Sequence, residues 1–385
     1  MPANNSISAS PVIKSARTAT LLIFLVCGIG ISSWAPMVPF VKTNLGLSEA
    51  NLGIVLLSLG AGAILTMPFT SLFINQYGSR KVSLVAAVVI ALMLPLLLIA
   101  GSAFSLATAL FVFGAAIGTI DVAMNAHAIV VQNSYGRPIM SAFHGMFSLG
   151  GLVGSIGLGF LIKYGLSPTV AAISISVLLL LIAITQYSRL LPHTKESRVD
   201  TFKFTLPTGP VLRLGLMCFV LFLAEGALLD WSAVFLQFSR GFDPSLSGIG
   251  FASFSVAMAA MRLTGDKIVH RLGTRKVVVL GTLMAAAGYF MAVLLPYSYA
   301  ALIGFTFIGL GAANAVPVFF TAAGRISGIP AAVALPAVTT LGYAGQLAGP
   351  ALIGFIAEFS SLPVALGFVG ILLLLVSISY SAQPE

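Results

Sequence analysis

Apolar residues in this chain come in runs of about twenty, separated by short polar breaks, from Leu21 almost to the C-terminus. A run of roughly 18 or more apolar residues is long enough to cross a bilayer as a helix. The pattern predicts twelve such helices, near 18–41, 48–75, 81–100, 104–132, 138–163, 167–190, 209–238, 245–270, 276–296, 298–323, 331–358 and 362–380. Breaks such as "NSYGRP" (133–138) and "FDPS" (242–245) are rich in Gly, Pro, Asn and Asp and read as turns. One longer polar stretch, "RLLPHTKESRVDTFKFTLPTGP" (189–210), divides the helices into two sets of six. The expected organisation is a tail over 1–17, a six-helix bundle over 18–190, a linker over 191–208, a second bundle over 209–380 and a short tail over 381–385. The opening "MPANNSISASPVIKSAR" has no small-residue cleavage site directly after an apolar core, so it reads as a cytoplasmic tail.

Composition agrees with a polytopic membrane protein. Hydrophobic residues make up 58% of the chain and charged ones 8%, against roughly 25% charged in soluble domains. The net charge of +9 would suit a nucleic-acid partner, but its distribution argues against one. With the N-terminus in the cytoplasm, every Lys and Arg except Lys42, Lys163 and Arg240 falls on a cytoplasmic loop or the adjoining helix end. That is the positive-inside pattern, and it predicts cytoplasmic termini. Cys27 and Cys218 both fall within spans and suggest neither a disulfide nor a metal pair.

The second half repeats the first in the same direction. "YGSRKV" (77–82) after the second helix matches "LGTRKV" (272–277) after the eighth, at an offset of 195 residues. At that offset "GGLVGSIGLGFL" (150–161) overlies "GQLAGPALIGFI" (345–356), and Pro168 overlies Pro363. Trp34 pairs with Trp231, and Gly53 with Gly250, at an offset of 197. A parallel repeat of six helices is the arrangement of major facilitator transporters. "GSRKV" and "MRLTGDKIVHRLGTRKV" (261–277) also resemble the two copies of the loop signature of that superfamily. The first copy departs from it, with Asn75 and Gln76 where an acid and a base are usual. The resemblance covers nearly the whole chain. It implies an all-α membrane protein of twelve transmembrane helices in two parallel six-helix repeats. Asp266, at a helix end facing Arg271 or Arg275, can form a charge-assisted contact that locks two helices in one state, and Arg80 and Lys81 hold the matching place in the first copy. The rival reading of these charges is simple topogenic charge.

Of ten acidic residues, seven lie in loops, helix ends or tails, and Asp121, Glu225 and Asp230 remain inside the predicted spans. A carboxylate at bilayer depth costs about 2.5–3.5 kcal/mol on insertion scales, which a purely structural role rarely needs. A carboxylate that loses its water and faces each side of the membrane in turn is what proton coupling requires. Asp121 is the leading candidate, with Asn125 on the same face four residues on; a structural hydrogen bond between helices is the rival reading. "IDVAMNAHA" (120–128) resembles the fourth-helix pattern of fucose-permease-like sugar–proton symporters. That resemblance implies Asp121 as the proton site and Asn125 as a cavity residue. The family has a second acid in its first helix, where this chain reads "SSWAPMVPF" (32–40). "HGMFSLGG" (144–151) with "EGALLDW" (225–231) looks like a little-characterised bacterial inner-membrane branch near those permeases.

Glu225 is the expected second proton-coupling acid. Asp230 lies five residues further on, about 140° around the helix, so the two should not both face a cavity squarely. Asp230 beside Trp231 then reads as an outer gate, a substrate contact or an exposed rim residue. His144 can relay protons or pair with a carboxylate, whereas His127 sits on a different face from Asp121 and reads as structural. Gln132, Asn314, Tyr343 and Gln346 are candidate polar cavity residues, with Trp34, Phe147 and Trp231 as flat surfaces on which a sugar ring can stack. Gly150–Gly154 and Gly345–Gly349 have the spacing that lets helices approach closely. No metal-ligand spacing and no phosphate loop occurs, so the chain should be no enzyme and need no cofactor or metal. The expectation is a proton-coupled secondary transporter, monomeric, in a bacterial inner membrane, with a small polar solute, protons and lipid as partners. A drug-exporting antiporter and a transport-inactive sensor or scaffold are the alternatives. "LAGPALIG" (347–354) resembles the Gly-Pro signature of drug antiporters, but it lies in the eleventh helix and not the fifth, which weakens the first of them.

Overall fold

The computed structural model describes residues 10–135, 139–192, 209–326, 329 and 331–382, side chains excepted at 141, 266, 331–333, 335 and 336. Residues 1–9, 193–208 and 383–385 of the expected tails and linker lie outside the described residues, as does the end of the 133–138 turn. Twelve helices long and apolar enough to span a membrane follow one another, and the described residues contain no strand. They are α1 Pro11–Leu45, α2 Glu49–Tyr77, α3 Ser79–Leu98 and α4 Ala103–Tyr135, α5 Met140–Lys163, α6 Pro168–Tyr187 and α7 Gly209–Ser239. After them come α8 Ile249–Leu272, α9 Thr274–Leu294 and α10 Ser298–Ala323, α11 Ala331–Phe359 and α12 Leu362–Ser381.

Local chemistry explains where several helices begin. Ser10, Ser48, Ser167 and Ser361 each accept a hydrogen bond from the backbone N–H three residues on, which satisfies an orphan donor of the first turn. Proline follows at the first or second position of α1, α6 and α12, where its missing N–H costs nothing. The Ser10–Pro11 start places the beginning of α1 inside the expected tail, ahead of the first strongly apolar residue. Gly78 between α2 and α3 and Gly273 between α8 and α9 carry φ of 82° and 80°. The single-residue turn requires that left-handed region, which explains why glycine recurs there in both halves.

Three spans are discontinuous. α1 breaks after Ser32, runs through a 3-10 turn over Ala35–Met37 and resumes at Val38. Pro36 and Pro39 lack the N–H that would continue the ladder. α7 ends in a π turn over Phe235–Ser239, and α10 is interrupted at Asn314. Irregular backbone at membrane depth is tolerated where protein or a cavity surrounds it.

The packing repeats with the sequence. In the first half α2 lies on α4, α1 on α5, and α3 on both α4 and α6; in the second α8 lies on α10, α7 on α11, and α9 on both α10 and α12. The halves meet through α2 against α11 and α5 against α8. Gly150 lies against Leu25 and Gly28 of α1, and Gly345 against Phe219 of α7, so the predicted small-residue spacing serves the α1–α5 and α7–α11 contacts. Large apolar residues such as Val85, Leu92, Phe104, Leu181 and Ile378 face outward, as a surface solvated by lipid requires.

Candidate functional site

Between the two halves lies a cavity of about 750 Å³. Its walls come from α1, α2, α4 and α5 on one side and α7, α8, α10 and α11 on the other. Asp121, Asn125, His144, Phe147, Glu225, Asp230, Asn314, Tyr343 and Gln346 all line it. On α4, Asn125 donates from Nδ2 to Asp121 Oδ1 at 3.3 Å and to the Asp121 carbonyl at 2.9 Å. No basic group pairs with Asp121 among the described residues.

Glu225 is different. Its Oε1 accepts from Arg262 Nη2 of α8 at 3.1 Å, and Arg262 Nε also donates to the Ala313 carbonyl, at 3.4 Å, beside the α10 break. In the sequence Arg262 stands inside the loop signature, where it reads as one more cytoplasmic charge. Its signal was position: it precedes Asp266 by one helical turn and follows "AMAAM" (257–261), so it lies deeper than the signature's other charges. Asn314 sits against Gly265, where any side chain would strike its Oδ1. Across the cavity the ring of His144 meets Phe24 edge-on at 5.4 Å, and Tyr343 packs against Phe222 at 5.4 Å.

Asp230 marks the closed apex. It is 6% exposed, and its Oδ1 has no hydrogen-bond partner among the described residues. The Trp34 indole faces this carboxylate without reaching hydrogen-bond geometry. Both Glu225 and Asp230 border the cavity despite their angular separation. Nearly every residue of α7 from Leu223 to Leu236 is buried, so both carboxylates lie inside the molecule. Trp34 and Trp231 are completely buried and belong to the packed core, not to the cavity wall. Their large apolar area suits a plug between helices.

The end away from the chain termini is sealed by backbone approach. Gly53 of α2 lies against Pro350 and Ala351 of α11, Gly354 against Glu49, Gly159 of α5 against Ser245, and Gly248 against Ser155. The Glu358 carboxylate of α11 accepts from the Ala50 N–H at 3.2 Å, crossing from one half to the positive N-terminus of a helix in the other. Beside this seal, Lys42 pairs with Glu49 at 3.3 Å. In the nearby turn, Asp243 accepts from the Ser245 hydroxyl and backbone N–H, and these bonds hold its carboxyl below the usual range. Met140 of α5 and Val269 of α8 line the opposite end of the cavity.

Other predicted residues lie elsewhere. His127 is buried and bonds Ser79 Oγ at 3.0 Å and the Leu191 N–H at 3.3 Å. Gln132 accepts from the Ile139 and Met140 N–H groups at 2.9 and 3.1 Å, tying down the start of α5. Arg80 stacks over Tyr187 at 4.1 Å, and Lys81 borders an apolar groove on the outer face with Phe73 and Tyr77. Arg271 and Arg275 are exposed, and Arg275 donates to the Ser381 carbonyl. The side chain of Asp266 is outside the described residues. No cluster of three metal-ligating side chains occurs among those described.

Two repeated bundles around one central cavity invite comparison with known proteins. Residues 20–332 match the Major Facilitator Superfamily. The chain belongs to that superfamily. It is 47% identical to an uncharacterised MFS-type transporter of Yersinia pestis, over 96% of each chain. It is 30% identical to membrane protein MosC of Rhizobium meliloti, over 98% of this chain and 94% of the relative. A crystal structure of a variant of the nucleoside transporter NupG superposes with a TM-score of 0.77, covering 97% of this chain and all of NupG at 14% identity; that likeness concerns the fold. The protein is therefore a multi-pass transporter of the bacterial inner membrane and not an enzyme.

Proposed function

We propose that this transporter moves a small polar solute together with protons by alternating access, one six-helix half rocking against the other about the central cavity. The observation that carries this reading is the meeting of Asp121 and Glu225, from opposite halves, in one cavity closed at its far end. Asp121 is the primary proton carrier, because its carboxylate has only Asn125 as a partner among the described residues. Glu225 is the second, held in reserve by Arg262. Both termini are cytoplasmic, so the cavity opens inward. Phe147 with Asn125, Asn314 and Gln346 suits a sugar-like solute, with ring faces against the aromatic group and hydroxyls on the amides. Asp266 with Arg271 or Arg275 is the proposed latch at the cytoplasmic end.

The test is proton flux in proteoliposomes holding a trapped pH dye, screened with sugars, nucleosides, organic acids and lipophilic cations. Internal acidification on adding one solute, lost in Asp121→Asn, supports the reading. Flux that persists in Asp121→Asn moves the proton to another group. A second reading has its own observation: Asp121 and Asp230 lack basic partners among the described residues, which favours a cationic solute exchanged against protons. In that case the solute gradient drives protons the opposite way.

A further inference from the structure

Arg262 is the only lysine or arginine that lines the cavity among the described residues. Its guanidinium spends one N–H of Nη2 on Glu225 and its Nε on a backbone carbonyl. Its Nη1 makes no hydrogen bond among those residues. A guanidinium presents a planar fork of donors that matches a carboxylate bidentately, and much of this fork is unused.

Resting on the proton-coupled reading above, we propose that the solute carries a carboxylate, and that Arg262 holds it once a proton on Glu225 has released the guanidinium. The proton binds Glu225 Oε1, the ion pair ends, and the freed N–H groups turn to the solute; no covalent bond changes.

The surrounding charges give the coupling its sign. Cys27 on α1, Asp121 on α4, His144 on α5, Glu225 and Asp230 on α7 and Tyr343 on α11 face the same space as Arg262 on α8. With all three carboxylates ionised, the single guanidinium is outnumbered and already paired, so an anion is repelled. With protons on Asp121 and Glu225, only Asp230 at the apex opposes a now unpaired Arg262. Protons and an anion thus favour each other's binding, while protons and a cation exclude each other. A neutral sugar makes no use of this arrangement, since amides and hydroxyls suffice to bind it.

The experiment uses thermal unfolding of the purified full-length transporter at about pH 8, well above the ordinary carboxylate range. Glucose, glucuronate and glucosamine share one ring and differ in charge; benzoate and succinate extend the acids. Glu225→Gln stands for the protonated state, and Glu225→Gln with Arg262→Gln removes the proposed anchor. The expected result is that at least one carboxylate stabilises Glu225→Gln at a concentration at least about tenfold lower than it needs in the double variant or the wild type. Arg262→Lys in place of Arg262→Gln should recover part of that binding. If Glu225→Gln does not fold, wild type at about pH 5.5 against Arg262→Gln at the same pH replaces it.

The proposal is overturned if no carboxylate separates the variants, or if glucose or glucosamine binds independently of Arg262 where the acids do not. Proton flux driven by a neutral solute would leave the coupling reading standing and remove this one. Arg262-dependent carboxylate binding without proton flux would uphold the anion site and remove the coupling.

Discussion

Replacing Gly354 by alanine places a methyl group in the seam that seals the far end of the cavity. The new Cβ would lie 2.5 Å from the Glu49 carbonyl oxygen and 3.0 Å from Gly53 Cα, where ordinary contact begins at 3.4 Å. The shortfall of about 0.9 Å falls on backbone atoms of two packed helices, which cannot swing aside as a flexible side chain would. Overpacking of this kind costs about 1–3 kcal/mol. The strain exists only while α2 and α11 are together, because opening the far end separates them. The equilibrium should therefore move toward the far-end-open state by about 5- to 150-fold. Gly157→Ala on α5 is the control, since its Cβ would meet nothing within 4 Å. Spin labels at Asn44 and Ser360, exposed on either side of the seam, report the separation, and Cys27 and Cys218 are buried away from the label. A longer-distance population in Gly354→Ala but not in Gly157→Ala is expected. Identical distance distributions in wild type and both variants would refute the idea that these contacts hold the end closed.

Other outcomes follow from the same geometry. Glu358→Gln removes a carboxylate from the N-terminus of α2 and should shift the same label distances by a smaller step, about 0.3–1 kcal/mol in the closed state. His127→Ala leaves Ser79 Oγ and the Leu191 N–H without their buried partner. It should cost about 1–3 kcal/mol, read as a lower Tm, with solute binding in the cavity unchanged. Asp243 is held below the usual carboxylate range by the Ser245 donors, so its contribution to stability is complete above about pH 4 and is lost as pH falls through its depressed folded value. The stability difference between wild type and Asp243→Asn should accordingly stay flat from neutral pH down to that range and close below it, as followed by thermal unfolding against pH.

Much of this molecule is local, and what is local was legible. Span length and the cost of burying polar backbone determine twelve helices. The recurrence of Gly78 and Gly273 marks a turn that only glycine adopts without strain. Asp121 and Asn125, one turn apart on one helix, share a face whatever surrounds them, and the structure joins them by a hydrogen bond. The start of α1 was misplaced because Ser10 and Pro11 act through backbone capping and not through hydrophobicity.

Tertiary structure decided the rest. Glu225 and Arg262 are 37 residues apart on different helices, and no periodicity in either helix says how they are rotated against each other. Trp34 and Trp231 look like cavity walls in one dimension, yet packing between helices buries both in the core. The amino-acid sequence by itself therefore determined the helices, their repeat, and which carboxylates the membrane must accommodate. The contacts between helices, through α2 on α11, α5 on α8 and α7 on α8, decided which carboxylate stands unpaired, which holds an arginine, and which end is shut. The physical reason is one of range: hydrophobicity and capping act within a few residues, whereas helix rotation and closure are set by packing between distant segments.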